Sequence, residues 1–185
     1  YLEKNHREVA ERFFKDNNIG EKSLVVNPFM GGSAKNITDD QYVSLLQKIY
    51  DRVENLNIII TCHISEEERG QNIINKIGRE RVYLFANGGS LLNLAAVIER
   101  GKVYFGGSTG PTHIAGALQK NIVAIYPNKK TQSPTRWGVY NNPNVSYVVP
   151  DRPERKVKED YSHKYFDSYD ESVEKEILDL LEEKL

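Results

Sequence analysis

The feature that most restricts the fold of this chain is a repeated alternation. Apolar runs of about five residues are each followed by a turn and then by a segment with helical spacing. The runs are "SLVVN" (23–27), "NIIIT" (57–61), "RVYLF" (81–85), "KVYFG" (102–106), "IVAIY" (122–126) and "VSYVV" (145–149). The helical segments between them begin near Thr38 and cover 65–77, 90–100 and 111–119. Several runs are apolar at consecutive positions, which suits strands buried on both faces. Strands of this kind, separated by helices, form a parallel sheet with a helical layer on each side. The expected fold is therefore α/β: a doubly wound, Rossmann-like parallel sheet of about six strands. Residues 1–18 read as a charged helix ending near Gly20, the expected boundary between a connector (1–20) and the sheet domain (21–185). Residues 150–168 are charged and poor in aliphatic side chains, and read as a surface excursion. A last helix is expected over 170–184.

Composition narrows the class. The 185 residues carry a net charge of −1, which gives no electrostatic footprint for nucleic acid. No apolar run approaches the roughly 20 residues that span a bilayer, and the start has no signal-like apolar segment. The single cysteine, Cys62, excludes an internal disulfide and fits a reducing compartment. The four histidines show no metal-ligand spacing, so no metal site is expected. The first residue is tyrosine, consistent with a fragment or processed chain.

In an open parallel sheet, ligands bind at the carboxyl ends of the strands, on loops that lead into helices. Two such loops carry anion-binding chemistry. "STGPTH" (108–113) places Ser108, Thr109 and Gly110 ahead of Pro111, a residue suited to a first helical turn. Free N–H groups and the helix dipole favour an anion there, most often phosphate, with His113 beside it. A plain capped turn with a packing histidine has the same composition. The second loop, "NPFMGGSAKNIT", combines Gly32, Ser33 and Lys35, whose ammonium could reach a phosphate. Its spacing is neither a Walker loop nor a dinucleotide-binding GxGxxG. Together the two loops could clamp one diphosphate. A carboxylate among Glu66, Glu67 and Glu68 could bind ribose hydroxyls, with Glu66 taken as the site residue; complementing a helix dipole is the alternative. The turn "NGGS" (87–90) brings Gly89 and Ser90 to the same edge. Lys129, Lys130 and Arg136 lie near it as well.

The run "GSTGPTHIAGALQKNIVAIYP", followed by "SPTRWG", resembles the carboxyl-terminal half of family 9 glycosyltransferases, the ADP-heptose:lipopolysaccharide heptosyltransferases and their relatives. "LFANGGSLLNLAAVIERGKVYFGGSTG" and "VVNPFMGGSAKNITDDQYVSLL" are similar to the stretches that precede that run in the family. The likeness covers residues 21–140 or so. It implies the donor-binding half of a two-domain GT-B enzyme, in which Ser108, Thr109, Gly110 and His113 face the donor's diphosphate and sugar. Lys35 would stabilise charge on the leaving diphosphate, Gly89 and Ser90 would lie near the nucleobase, and one acid among Glu66, Glu67 and Glu68 near the ribose. No cofactor is implied beyond the nucleotide-sugar donor, ADP-heptose by default. The inverting reaction takes its catalytic base from the amino-terminal domain, which also grips a lipopolysaccharide or glycolipid acceptor. The expected setting is cytoplasmic, peripheral at the inner face of the inner membrane. Ser108 stands where the heptosyltransferases often carry Asp, which leaves the donor sugar open. Gly116 replaces the usual alanine, and Gln119-Lys120 stands where a glycine is common. Two other functions remain open from sequence: a nucleotide-sugar-binding module without turnover, and a different phosphate-binding Rossmann-like domain.

Overall fold

The computed structural model describes residues 2–32, 34–155 and 157–185. Six strands are formed: β1 (Ser23–Asn27), β2 (Asn57–His63), β3 (Val82–Asn87), β4 (Val103–Gly106), β5 (Asn121–Ile125) and β6 (Val145–Val148). All neighbouring pairs are parallel, in the order β3-β2-β1-β4-β5-β6. The chain therefore winds outward from β1 through β2 to β3, crosses back to lay β4 against β1, and winds outward again. The gap between β1 and β4 is the topological switch point, where neighbouring connections leave toward opposite edges.

Adjacent residues on each strand point to opposite faces, which divides the core in two. Leu24, Val26, Ile58, Ile60, Val103 and Phe105 face one layer of helices. That layer holds α2 (Asp39–Arg52), α3 (Glu67–Ile77) and α7 (Glu171–Lys184). Val25, Ile59, Tyr104, Ile122 and Ala124 face the other, formed by α1 (Lys4–Asp16), α4 (Leu91–Arg100) and α5 (Gly110–Ala117). A four-residue helix, α6 (Pro134–Trp137), lies between β5 and β6.

Local chemistry sets the helix starts. Thr38 caps α2 in a reciprocal capping box: its hydroxyl accepts from Gln41 N at 3.2 Å, and Thr38 N donates to Gln41 Oε1 at 2.7 Å. Ser90 caps α4 by accepting from Leu92 N, and Asp170 caps α7 by accepting from Val173 N. α3 ends at Gly78 in the left-handed conformation.

Two segments differ from what the sequence suggested. α1 packs into the sheet domain: Ala10 and Phe14 are buried, Arg7 pairs with Glu99 of α4 at 2.9 Å, and the Phe13 ring meets Phe85 of β3 edge-on at 5.1 Å. Residues 150–168 are more than a surface excursion. Tyr165 forms a parallel bridge with Asn36, Phe166 enters the core, and the Glu159 side chain is almost wholly buried. Low aliphatic content hid this, because the segment is anchored by backbone pairing and ion pairs rather than by an apolar face.

Candidate functional site

A cleft of about 600 Å³ opens at the carboxyl ends of β1 to β4, over the switch point. β1 and β4 end level, with Asn27 beside Gly106, and so do β2 and β3, with His63 beside Asn87. The loops leaving these four strands form the walls. From β4 come Ser108, Thr109, Gly110 and Pro111; from β1 come Asn27 and the 29–32 loop; from β2 come Cys62, His63 and Glu66; from β3 come Asn87 and, on α4, Leu91 and Leu94.

The N-terminus of α5 forms one wall of the cleft. Thr109 is its N-cap residue, yet its side chain makes no capping bond; the hydroxyl lies 3.3 Å from that of Thr112. Thr112 is wholly buried and also contacts Tyr104 OH at 3.3 Å and the Gly107 carbonyl. This buried set of hydroxyls anchors the turn from beneath; Pro111 has no N–H and the amides of Thr112 and His113 donate to Thr109 O, so Gly110 supplies the unpaired amide of the first turn, and it lines the cleft. No atom lies within 4 Å of where a Cβ on Gly110 would point. An exposed, uncapped helix start carries a partial positive charge.

On the opposite side, Arg69 grips Asp39 at 2.7 and 2.8 Å, stacks on Phe29 at 4.9 Å and lies 3.7 Å from Glu66. That arrangement holds the Glu66 carboxylate at the rim. Below it, burial pushes the Cys62 thiol up to about 11, with Glu66 and Glu67 adding to the rise, so the thiol stays protonated at neutral pH. His63 Nδ1 accepts from Ser65 N at 3.2 Å and meets Ser65 Oγ at 2.7 Å, which fixes the ring. Asn27 donates to Thr61 O and Oγ1 at 3.3 and 3.2 Å, so its amide is held at the cleft floor.

The structure brings Gly32, Glu66, Ser108, Thr109 and Gly110 together around this cleft. Gly32 has a φ of +117°, a conformation that disfavours any side chain. Ser33 lies outside the described residues. His113 stands one step away, in an adjoining space of about 260 Å³ that it lines with Gln132 and Trp137, and that shares Ser108, Thr109 and Gly110 with the cleft. Gly89 and Ser90 form the turn into α4 and do not line the cleft; Asn87 and Leu91, on either side of them, do.

Lys35 is placed differently from the expectation that it faces a diphosphate here. It does not line the cleft. Its Nζ is buried and donates to Glu159 Oε2 at 2.7 Å, Tyr165 O at 2.9 Å and Asp167 Oδ2 at 3.1 Å. Burial works to lower its pKa, but the hydrogen bonds and charges of Glu159 and Asp167 outweigh it and hold the ammonium above the usual lysine value. The physical reason is the 157–167 strap, whose carboxylates reach the loop before α2 and neutralise the lysine there.

Sequence reasoning missed Asn27, Phe29, Met30, Cys62, His63, Asn87, Leu91 and Leu94. Most carry no motif. Their common signal is position, within a few residues of the carboxyl end of a parallel strand.

Residues 2–165 match the family model described as glycosyltransferase family 9 (heptosyltransferase). The chain belongs to glycosyltransferase family 9. Among curated proteins, one of Haemophilus influenzae described as a candidate glycosyltransferase is 27% identical over 136 residues, covering 71% of this chain and 39% of that protein. Among solved structures, a family 9 glycosyl transferase of Veillonella parvula superposes with a TM-score of 0.77 at 12% identity, over 100% of this chain and 53% of that one. The ADP-heptose lipopolysaccharide heptosyltransferase II of E. coli gives 0.68 at 14% identity, over 98% and 51%. The E. coli heptosyltransferase WaaC, solved with ADP, gives 0.60 at 20% identity, over 76% and 42%. The chain thus spans about half the length of these relatives, or less, and its fold is that of the carboxyl-terminal half of a GT-B heptosyltransferase.

Proposed function

We propose that the cleft binds a nucleoside-diphosphate sugar, ADP-heptose by default, and that this chain is the donor-binding half of an inverting glycosyltransferase acting on lipopolysaccharide core or a related glycan. The observation that carries this reading is the uncapped N-terminus of α5 opening into a cleft at the β1/β4 switch point, opposite a carboxylate held by Arg69. The diphosphate lies against the amides of residues 109 and 110 and the Ser108 hydroxyl, where the helix dipole favours negative charge. Glu66 accepts hydrogen bonds from the ribose hydroxyls. Asn87, Leu91 and Leu94 close the far end around the base, with amide and apolar contacts in one wall. His113 and Trp137 border the space next to the diphosphate, on the sugar side.

In transfer, the bond from the anomeric carbon to the diphosphate oxygen breaks as the acceptor hydroxyl attacks from the opposite face. Charge then grows on the departing diphosphate, and fixed N–H donors lower the barrier by meeting it. The base that takes the acceptor's proton belongs to the other half of the protein, as does the grip on a glycolipid acceptor at the inner membrane face. In that reading α1 leads in from the other half.

Calorimetric titration of the chain with ADP tests the donor site. Binding is expected, weakened about tenfold by Glu66→Gln through loss of charge-assisted hydrogen bonds to the ribose. Absence of ADP binding at millimolar concentrations of both overturns the reading. One observation favours a second reading, a binding module without turnover: Lys35 is neutralised by Glu159 and Asp167. Sugar transfer by the full-length protein to a truncated core acceptor excludes it.

A further inference from the structure

Beside the donor cleft is a second, smaller space of about 210 Å³, which shares Gly32 and Ala34 with it. It lies on the β5 side, across Ser108 and Gly110 from the end walled by Asn87 and Leu91. Its walls carry Lys35, Lys129, His163 and Lys164, with Tyr161 between them.

The acidic groups nearby are already engaged. Glu159 accepts from Lys35 and from Ser168 N at 2.8 Å. Asp167 accepts from Lys35 and from Asp160 N, both at 3.1 Å. Asp160 accepts from Ser162 N at 2.9 Å and pairs with His163 Nε2 at 3.0 Å. Asp151 accepts from Asn128 N at 2.7 Å and from the Tyr161 hydroxyl, which pins the ring in place. Lys129 and Lys164 have no such partner. Among the described residues no carboxylate lies within ion-pair distance of either. Instead their ammonium groups sit over aromatic rings, Lys129 at 5.3 Å from the centre of Tyr161 and Lys164 at 5.9 Å from that of Tyr165. Ring faces attract the cations without neutralising them. The strap therefore sets Glu159 and Asp167 on Lys35, while Lys129 and Lys164 line the polar recess with no carboxylate in direct contact.

We propose that this recess is a second anion subsite, in which Lys129 and Lys164 bind a compact oxyanion, phosphate or carboxylate, carried by a substrate whose other end occupies the neighbouring cleft. It rests on the reading of that cleft as the donor site. The anion comes either from the donor's diphosphate or from an acidic sugar approaching it.

Amide chemical shifts of the chain, followed during titration with inorganic phosphate, test the subsite directly. Shifts at residues 129 and 164 are expected, and the double variant Lys129→Gln/Lys164→Gln should bind phosphate at least about tenfold more weakly. Lys164→Gln alone, at an exposed position, keeps the test readable if the double variant unfolds. An equal loss of ADP affinity with unchanged adenosine affinity assigns the anion to the donor. Unchanged ADP affinity with weaker mannose 6-phosphate binding assigns it to an acidic sugar. Phosphate that shifts neither lysine, or variants that bind phosphate, ADP and mannose 6-phosphate like the parent, overturn the proposal. Failure of the parent chain to bind ADP strikes the donor reading instead and leaves the phosphate result standing.

Discussion

At the residue scale, the departure at Gly116 has a partner. A Cβ built there would lie 1.9 Å from Val139 Cγ1, so the valine fills the volume that an alanine side chain would need. Valine is stiff at χ1 and cannot swing aside cheaply. Gly116→Ala is therefore expected to destabilise the domain by about 1–3 kcal/mol through overpacking. Val139→Ala added to it should return part of the loss, a coupling that a double-mutant cycle of urea midpoints measures. The Cys62 thiol makes a second residue-scale prediction. With its pKa pushed up to about 11 by burial, alkylation at pH 8 should run about 100-fold slower than in the urea-unfolded chain. Donor bound in the cleft should slow it further, and a native rate matching the unfolded one would show the thiol to be open. Residue identity made Ser108, Thr109 and Gly110 legible as cleft residues. It misled at Lys35, since a lysine on a glycine-containing loop reads the same whether it meets a ligand or a buried glutamate.

At the scale of elements, the strap at 157–167 is the feature with the largest consequence. Both side chains of the Lys35–Glu159 pair are nearly inaccessible, at 3% and 2% exposure. Glu159→Leu leaves Lys35 with Asp167 and the Tyr165 carbonyl as its partners, so the cost should fall below the ~3–5 kcal/mol typical of an orphaned buried charge. The cost should appear as opening of the strap rather than of the sheet. Amide exchange should quicken at Asn36 and Phe166, which pair with Lys164 and Asn36 across the bridge, while β1 and β2 stay protected. Lys35→Met combined with Glu159→Leu should restore protection in part. The pH response follows from the two shifted groups. Lys35 is raised, so its contribution is full below the ordinary lysine value of 10.5 and is lost as pH climbs through the folded value. Asp167 is lowered, chiefly by the Asp160 N–H and then by Lys35, so its contribution is present above 3.8 and is lost as pH falls through the folded value. Strap protection should therefore form a plateau between those limits, and exchange rates at Asn36 across pH measure it.

At the scale of the whole molecule, the sheet sets where a ligand can act on stability. The cleft draws walls from the loops after four strands, so an occupant ties both halves of the doubly wound sheet together. ADP at 100 times its Kd should add about 2.7 kcal/mol and raise Tm by about 5–11 °C for a chain of this length. Differential scanning calorimetry checks this, and an unchanged Tm at saturating ADP would count against the cleft as the donor site. The strand and helix order was determined by the sequence alone, because period-two burial, capping residues and turn glycines act over a few neighbouring positions. "SLVVN" is strand β1 to the residue, and Thr38 and Ser90 cap helices where their spacing requires. The alternation also pointed to the carboxyl edge of a parallel sheet, where the cleft opens. Only the tertiary structure decided which side chains share that edge. Asn27, Cys62 and Asn87 meet because β1, β2 and β3 lie side by side, and Lys35 turns to Glu159 because a segment 124 residues further on folds back across its loop. Contacts between distant parts of a chain depend on register and packing, and no local pattern of residue types encodes them.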